Sequence, residues 1–104
     1  MDLSIVIPTI RPNNWVAVLD SIAISCKLYS YEVIFVGPFY NIQEQQSICE
    51  SYKNVRFLYS QASPNICQQI GMESTSGDVL HVFSDDCLFM ENSIDICMNS
   101  MRKN

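Results

Sequence analysis

Short continuous apolar runs alternate along the chain with longer stretches in which apolar residues recur every three or four positions. Leu3–Ile7, Tyr31–Val36, Val55–Tyr59 and Val79–Phe83 have the length and the β-branched and aromatic content of buried strands. Pro8 stops the first run and Gly37-Pro38 breaks the second. Between the runs, Trp15, Val18, Leu19, Ile22 and Cys26 share one helical face, with Asn13 or Asn14 available as cap. Asn41 followed by Glu44 resembles a capping box for a helix with Ile42, Cys49 and Tyr52 on its apolar stripe. Ser63-Pro64 is a strong helix start, and Ile66, Cys67, Ile70 and Met72 continue to a stop near Ser76-Gly77. A last helix, capped near Asn92, carries Ile94, Cys97, Met98 and Met101. The order β-α-β-α-β-α-β-α with short connections predicts one α/β domain over residues 1–104. Its sheet is expected to be mostly parallel and four-stranded, with helices on both faces.

That architecture gives a meaning to the acidic pair Asp85-Asp86, which the fourth run delivers to its C-terminal end. Open α/β sheets bind ligands beyond that end of the strands. Two carboxylates there suit a hard divalent cation that holds phosphates, although Ser84, Asp85 and Asp86 could equally cap a turn. Composition narrows the partners. A hydrophobic content of 48% against 16% charged describes a buried core. The formal net charge of -5, with six Lys and Arg scattered along the chain, lacks the clustered basic surface that nucleic acid needs. An anionic ligand would draw its positive field from a metal or from helix N-termini. The five cysteines are an odd number without a C-x-x-C pair, which points to reduced thiols used mainly in packing. Cys87, beside the carboxylates, is the one that stands apart. No basic leader and no apolar run approaching ~18 residues is present, so a soluble cytoplasmic protein without a membrane span is expected.

Several α/β families are poor fits. The loop after the first strand, Pro8-Thr9-Ile10-Arg11-Pro12-Asn13, has no G-x-G-x-x-G, and a G-x-x-x-x-G-K-[ST] segment is absent. A receiver-like fold would carry its acids after the first strand. His81, mid-strand between Leu80 and Val82, reads as a packed or interface histidine, and Trp15 as a core residue. Phe39 and Tyr40 could line a base pocket or cover the sheet edge.

Four segments together resemble a known family. S-I-V-I-P-T (Ser4–Thr9), Y-E-V-I-F-V (Tyr31–Val36), I-G-M-E-S-T-S-G-D-V-L (Ile70–Leu80) and F-S-D-D-C (Phe83–Cys87) are similar to family 2 glycosyltransferases of the GT-A fold. The resemblance covers about residues 3–90, is most specific from Gly71 to Asp86, and corresponds to the N-terminal, nucleotide-sugar-binding half of such an enzyme. It implies a Rossmann-like sheet and a loop at Pro8 and Thr9 lying against the nucleobase. Ser84-Asp85-Asp86 aligns with the family's D-x-D motif. Asp86 would then hold the Mn²⁺ or Mg²⁺ that bridges the diphosphate, and Asp85 would lie beside the ribose or the metal. Arg11, at the ligand end of the sheet, is a candidate phosphate contact. The chain departs from the family at Ser84, at Gly37-Pro38 where an acidic base contact is usual, and at Gln68-Gln69 where Arg-Asn is frequent. The implied function is a glycosyltransferase-like domain that binds a nucleotide-diphosphate sugar through a divalent metal and lacks the usual acceptor half. A homodimer or a partner chain would supply the acceptor side. The alternative is a non-catalytic GT-A-like binding or assembly module. No residue is nominated as catalytic base; Glu91 and Asp95 are read as solvated helix carboxylates.

Overall fold

The structure is a computed structural model, and it describes residues 2–52 and 54–102. Four strands, β1 (Leu3–Pro8), β2 (Tyr31–Gly37), β3 (Val55–Tyr59) and β4 (Val79–Val82), form one sheet in the order β3-β2-β1-β4. All three pairings are parallel, with Leu3 opposite Tyr31 and Val79, and Val33 opposite Val55. Between them run α1 (Trp15–Ser25), α2 (Gln43–Ser51) and α3 (Pro64–Glu73), and α4 (Ser93–Arg102) follows β4. The expected α/β fold with helices on both faces is present.

Alternation along the strands divides the core. Ile5, Ile7, Val33 and Phe35 face α1, α2 and α4, where they meet Trp15, Val18, Leu19, Ile22, Ile48, Ile94 and Met98. Ile34 and Val36 face the other way and pack on Cys67 and Ile70 of α3. Each fully buried aliphatic side chain contributes roughly 1.5–3 kcal/mol relative to exposure. The mostly apolar and almost wholly buried β1 and β2 therefore dominate the fold. Trp15 is wholly buried against Phe35, Phe39 and Phe57.

The two glycines of the Gly71-to-Asp86 segment have separate structural reasons. α3 crosses β1 so closely that a Cβ on Gly71 would stand 2.3 Å from Val6 Cγ1. A Cβ on Gly77 would meet the Leu3–Ser4 backbone at 2.6 Å, because the chain enters β4 alongside β1 there. This entry is secured by buried Glu32. Its Oε2 accepts from the Ser4 hydroxyl at 2.6 Å and from the Ser76 N–H and hydroxyl at 2.7 and 2.8 Å. Its Oε1 accepts from Arg56 at 3.1 Å. Burial alone would raise the Glu32 pKa, but these donors outweigh it and bring it from 4.5 to about 2.

Several expectations need correction. β4 is an edge strand with Leu80 and His81 exposed, because it pairs only with β1. The α2 cap involves Ile42 and Gln45 rather than Asn41 and Glu44: the Ile42 N–H donates to Gln45 Oε1 at 3.2 Å. Gln45 consequently occupies a buried position, while Cys49 is exposed. On α4, Ile94 and Met98 are buried and Cys97 and Met101 exposed; on α3, Ile66 and Met72 are exposed. Of the five free cysteines only Cys26 and Cys67 pack inside. Asp95 is buried, not solvated, because it accepts the Lys27 and Leu28 N–H groups at 3.0 and 3.1 Å and ties α4 to the end of α1. Glu91 is exposed and pairs with Lys27 at 3.5 Å. Neither Asn14 nor Ser63 makes a side-chain cap; the Asn14 amide donates instead to the Asp85 carbonyl at 3.0 Å.

Candidate functional site

At the C-terminal ends of β1, β2 and β4, where the N-terminus of α3 also arrives, the sheet opens into a cleft of about 620 Å³. That volume suits a nucleotide-sized ligand. Six of the residues singled out from sequence line it: Pro8, Thr9, Arg11, Gln68, Ser84 and Asp85. Gly37 lies just behind the wall, where a Cβ would stand 2.2 Å from the Thr9 carbonyl oxygen, so only glycine lets β2 end beside that loop. Asp86 follows at the rim and is exposed. Sequence reasoning missed the β3–α3 side of the cleft, formed by Gln61, Ala62 and Pro64. The loop after β3 sits at the ligand end of the sheet as surely as the loop after β1. The β-α-β alternation, which makes the strands parallel, was the signal that could have found it.

Asp85 organises the cleft. It is 2% exposed, and Oδ2 accepts from the Thr9 hydroxyl at 2.6 Å and from the Ile10 and Arg11 N–H groups at 2.9 Å each. Oδ1 accepts from Arg11 Nη1 at 2.8 Å. Burial pushes its pKa up, but the donors of Thr9, Ile10 and Arg11 outweigh that, so the carboxyl sits below its ordinary value. Thr9 is fixed in turn by the indole Nε1–H of Trp15, which donates to its hydroxyl at 2.7 Å. The β1–α1 loop, the β4 turn and the core tryptophan are thus one hydrogen-bonded unit. Both oxygens of Asp85 are spent on this loop.

Asp86 differs in exposure and in its partners. It faces solvent, accepts from the Ser84 hydroxyl and takes a weak S–H bond from Cys87 at 3.6 Å. The Ser84 bond, more than the Cys87 one, lowers its pKa. The same contact raises the Cys87 thiol, which is therefore a poor nucleophile despite its position. Among the described residues no group of three His, Cys, Asp or Glu could enclose a metal. The oxygen donors of Asp86 and Ser84 fit Mg²⁺ or Mn²⁺ only in the form such ions take with nucleotides, with one or two protein oxygens completed by phosphates and water. Arg11 is the only Lys or Arg along the described walls of the cleft.

His81 lies outside the cleft on the β4 edge, against the rings of Phe83 and Phe89 at 5.9 and 5.7 Å. Desolvation there holds its pKa below the ordinary value. Phe39 belongs to the core cluster, while Tyr40 is 78% exposed on the other side of the β2–α2 loop.

Solved structures of S. aureus TarS, a GT-A-type glycosyltransferase, superpose on 99% of this chain. The chain has the GT-A fold. For the TarS 1–349 fragment the TM-score is 0.71 at 15% identity, and for its complex with UDP 0.74 at 17%. The complex with UDP-GlcNAc gives 0.69 at 15%. The chain spans 32% of the TarS 1–349 structure, about a third of its length. No protein-family model and no curated protein sequence matches the chain. Within the GT-A fold, the cleft is bounded by the β1–α1 loop and the Ser84-Asp85-Asp86 turn. No described helix is long and apolar enough to cross a membrane.

Proposed function

We propose that the cleft binds a nucleotide-diphosphate sugar, with the nucleoside against Pro8, Thr9 and the β3–α3 loop and the diphosphate toward Ser84 and Asp86. The observation that carries this reading is the Asp85 bridge, which fixes the β1–α1 loop and the acidic turn as two walls of one cleft at the ligand end of the sheet. The UDP and UDP-GlcNAc complexes of TarS, which has the same fold, support the ligand class. Asp86 would hold Mn²⁺ or Mg²⁺, which when bound neutralises charge on a diphosphate leaving group. Asp85 would position the loop rather than ligate the metal. Arg11, anchored through Nη1, would turn its remaining guanidinium donors to a phosphate. Gln68, facing the cleft from α3, would give a neutral contact.

A second reading, a binding or assembly module without transfer activity of its own, is favoured by one feature. Among the described residues, no carboxylate other than Asp85 lines the cleft, Asp95 is buried elsewhere, and a general base for an acceptor hydroxyl is lacking. The acceptor side would then come from outside the described residues; the β4 edge, with Leu80 exposed, offers a surface for it. Titration calorimetry with UDP, GDP and their sugar conjugates, each with Mn²⁺ and with EDTA, tests the proposal. Metal-dependent binding that vanishes in Asp86→Ala is the expected result. Absence of binding by every nucleotide would overturn it.

A further inference from the structure

A second concavity, of about 570 Å³, lies between β3, α2 and the β2–α2 loop and shares no lining residue with the first cleft. Its outer wall is a pair of exposed tyrosines, Tyr40 at 78% and Tyr59 at 52% exposure, whose rings stand 6.1 Å apart and 80° to one another. Single exposed aromatics are ordinary, but two forming a corner over a pocket are not. Neither tyrosine hydroxyl has a hydrogen-bond partner among the described residues. The inner wall is made of amides. Asn41 adopts a left-handed backbone conformation, with φ 55°, that places its carbonyl and side-chain oxygens 3.3 and 3.1 Å from Gln46 Nε2. This pins Gln46 while leaving its Oε1 and the Asn41 Nδ2 available. No carboxylate, lysine or arginine lines the pocket among the described residues.

We infer that this pocket is a subsite for a neutral saccharide, separate from the nucleotide cleft and independent of what that cleft binds. The chemistry is specific to such a ligand. A pyranose ring presents a flat C–H face that lies on an aromatic ring, and hydroxyls that both donate and accept, matching two tyrosine hydroxyls, an amide N–H and an amide oxygen. A phosphate would find no cation here and a metal no carboxylate. A proline-rich segment also uses tyrosines, but it needs a run of parallel aromatic ridges, and rings set at 80° to one another do not present one.

The test is an amide-resolved NMR titration of the whole chain with chitotriose, cellotriose and maltotriose in turn, followed by UDP. At least one trisaccharide should give saturable shifts at Tyr40, Asn41, the Gln46 side-chain amide and Tyr59. UDP should leave those signals in place. Tyr40→Ala should weaken the saccharide about tenfold, and Tyr40→Phe, which keeps the ring, much less. Tyr40 is exposed enough that its removal leaves the fold intact, and Tyr59→Ala provides an independent second variant. The inference is overturned if no trisaccharide moves these residues, or if the shifts fall on Thr9, Ala62 and Gln68 instead. It is equally overturned if a decaproline peptide moves them and no saccharide does.

Discussion

Asp85→Asn separates a loop anchor from a surface ion pair. The native carboxylate accepts three bonds on Oδ2 from Thr9, Ile10 and Arg11 and one on Oδ1 from the Arg11 guanidinium. An asparagine can keep its oxygen toward the loop, but those three bonds fall from charge-assisted to neutral strength, a difference of roughly 1 kcal/mol each. Its NH₂ then faces Arg11 Nη1, donor against donor. The Arg11 side chain is 45% exposed, so its pair with Asp85 is screened and adds at most about 1 kcal/mol. The expected cost of Asp85→Asn is therefore about 3 kcal/mol in urea unfolding at pH 7, whereas Arg11→Ala costs about 1 kcal/mol or less. Both variants would also be titrated with UDP. Loosening the Thr9–Arg11 loop in Asp85→Asn should lower affinity even where the protein remains folded. The reasoning fails if Asp85→Asn costs less than about 1 kcal/mol, or if Arg11→Ala costs as much, since the loop bonds would then contribute nothing beyond the ion pair.

Glu32→Gln should destabilise by about 3 kcal/mol at neutral pH, the worth of a carboxyl held at about 2 rather than 4.5. Because the folded pKa is the lower one, that stability is present above pH 4.5 and is lost as pH falls toward 2. The gap between wild type and variant in urea unfolding should close over that window. Gly71→Ala should destabilise by roughly 1–2 kcal/mol, because the 2.3 Å approach to Val6 Cγ1 outweighs alanine's helical advantage of about 1 kcal/mol. Combining it with Val6→Ala should give a smaller loss than the two single losses added, read by thermal unfolding. Iodoacetamide should modify exposed Cys49 and Cys97 in the native protein, Cys87 more slowly because Asp86 raises its thiol pKa, and should spare Cys26 and Cys67 until the chain unfolds, as mass spectrometry of the labelled chain would show.

The sheet and α1 were legible because their signals are local and repeated. Leu3–Ile7 and Tyr31–Val36 are apolar runs interrupted only by Ser4 and Glu32, and Trp15, Val18, Leu19, Ile22 and Cys26 are all buried as their spacing requires. The short helices misled where a polar side chain had a distant reason to be inside. Gln45 displaces Cys49 from the interior because its amide joins Ile42 and Phe39. Asp95 is buried because α4 lands on the end of α1, nearly 70 residues back, and nothing near Asp95 in sequence announces that. The acidic pair was visible as a pair, yet its division of labour was not. Asp85 turns to a loop more than 70 positions away, and only Asp86 is left facing outward. The order β3-β2-β1-β4 leaves the Val79–Phe83 run, apolar enough for a central strand, paired on one side.

The measurement that bears most directly on the central claim is amide-resolved NMR mapping of UDP binding in the presence of Mg²⁺. A nucleotide held between the Asp85-anchored loop and the β3–α3 wall should shift Thr9, Ile10, Arg11, Ala62, Gln68 and Ser84 together, and removing Mg²⁺ should weaken the response. Shifts confined to other surfaces, or none at saturating nucleotide, would mean that this cleft is not a nucleotide site.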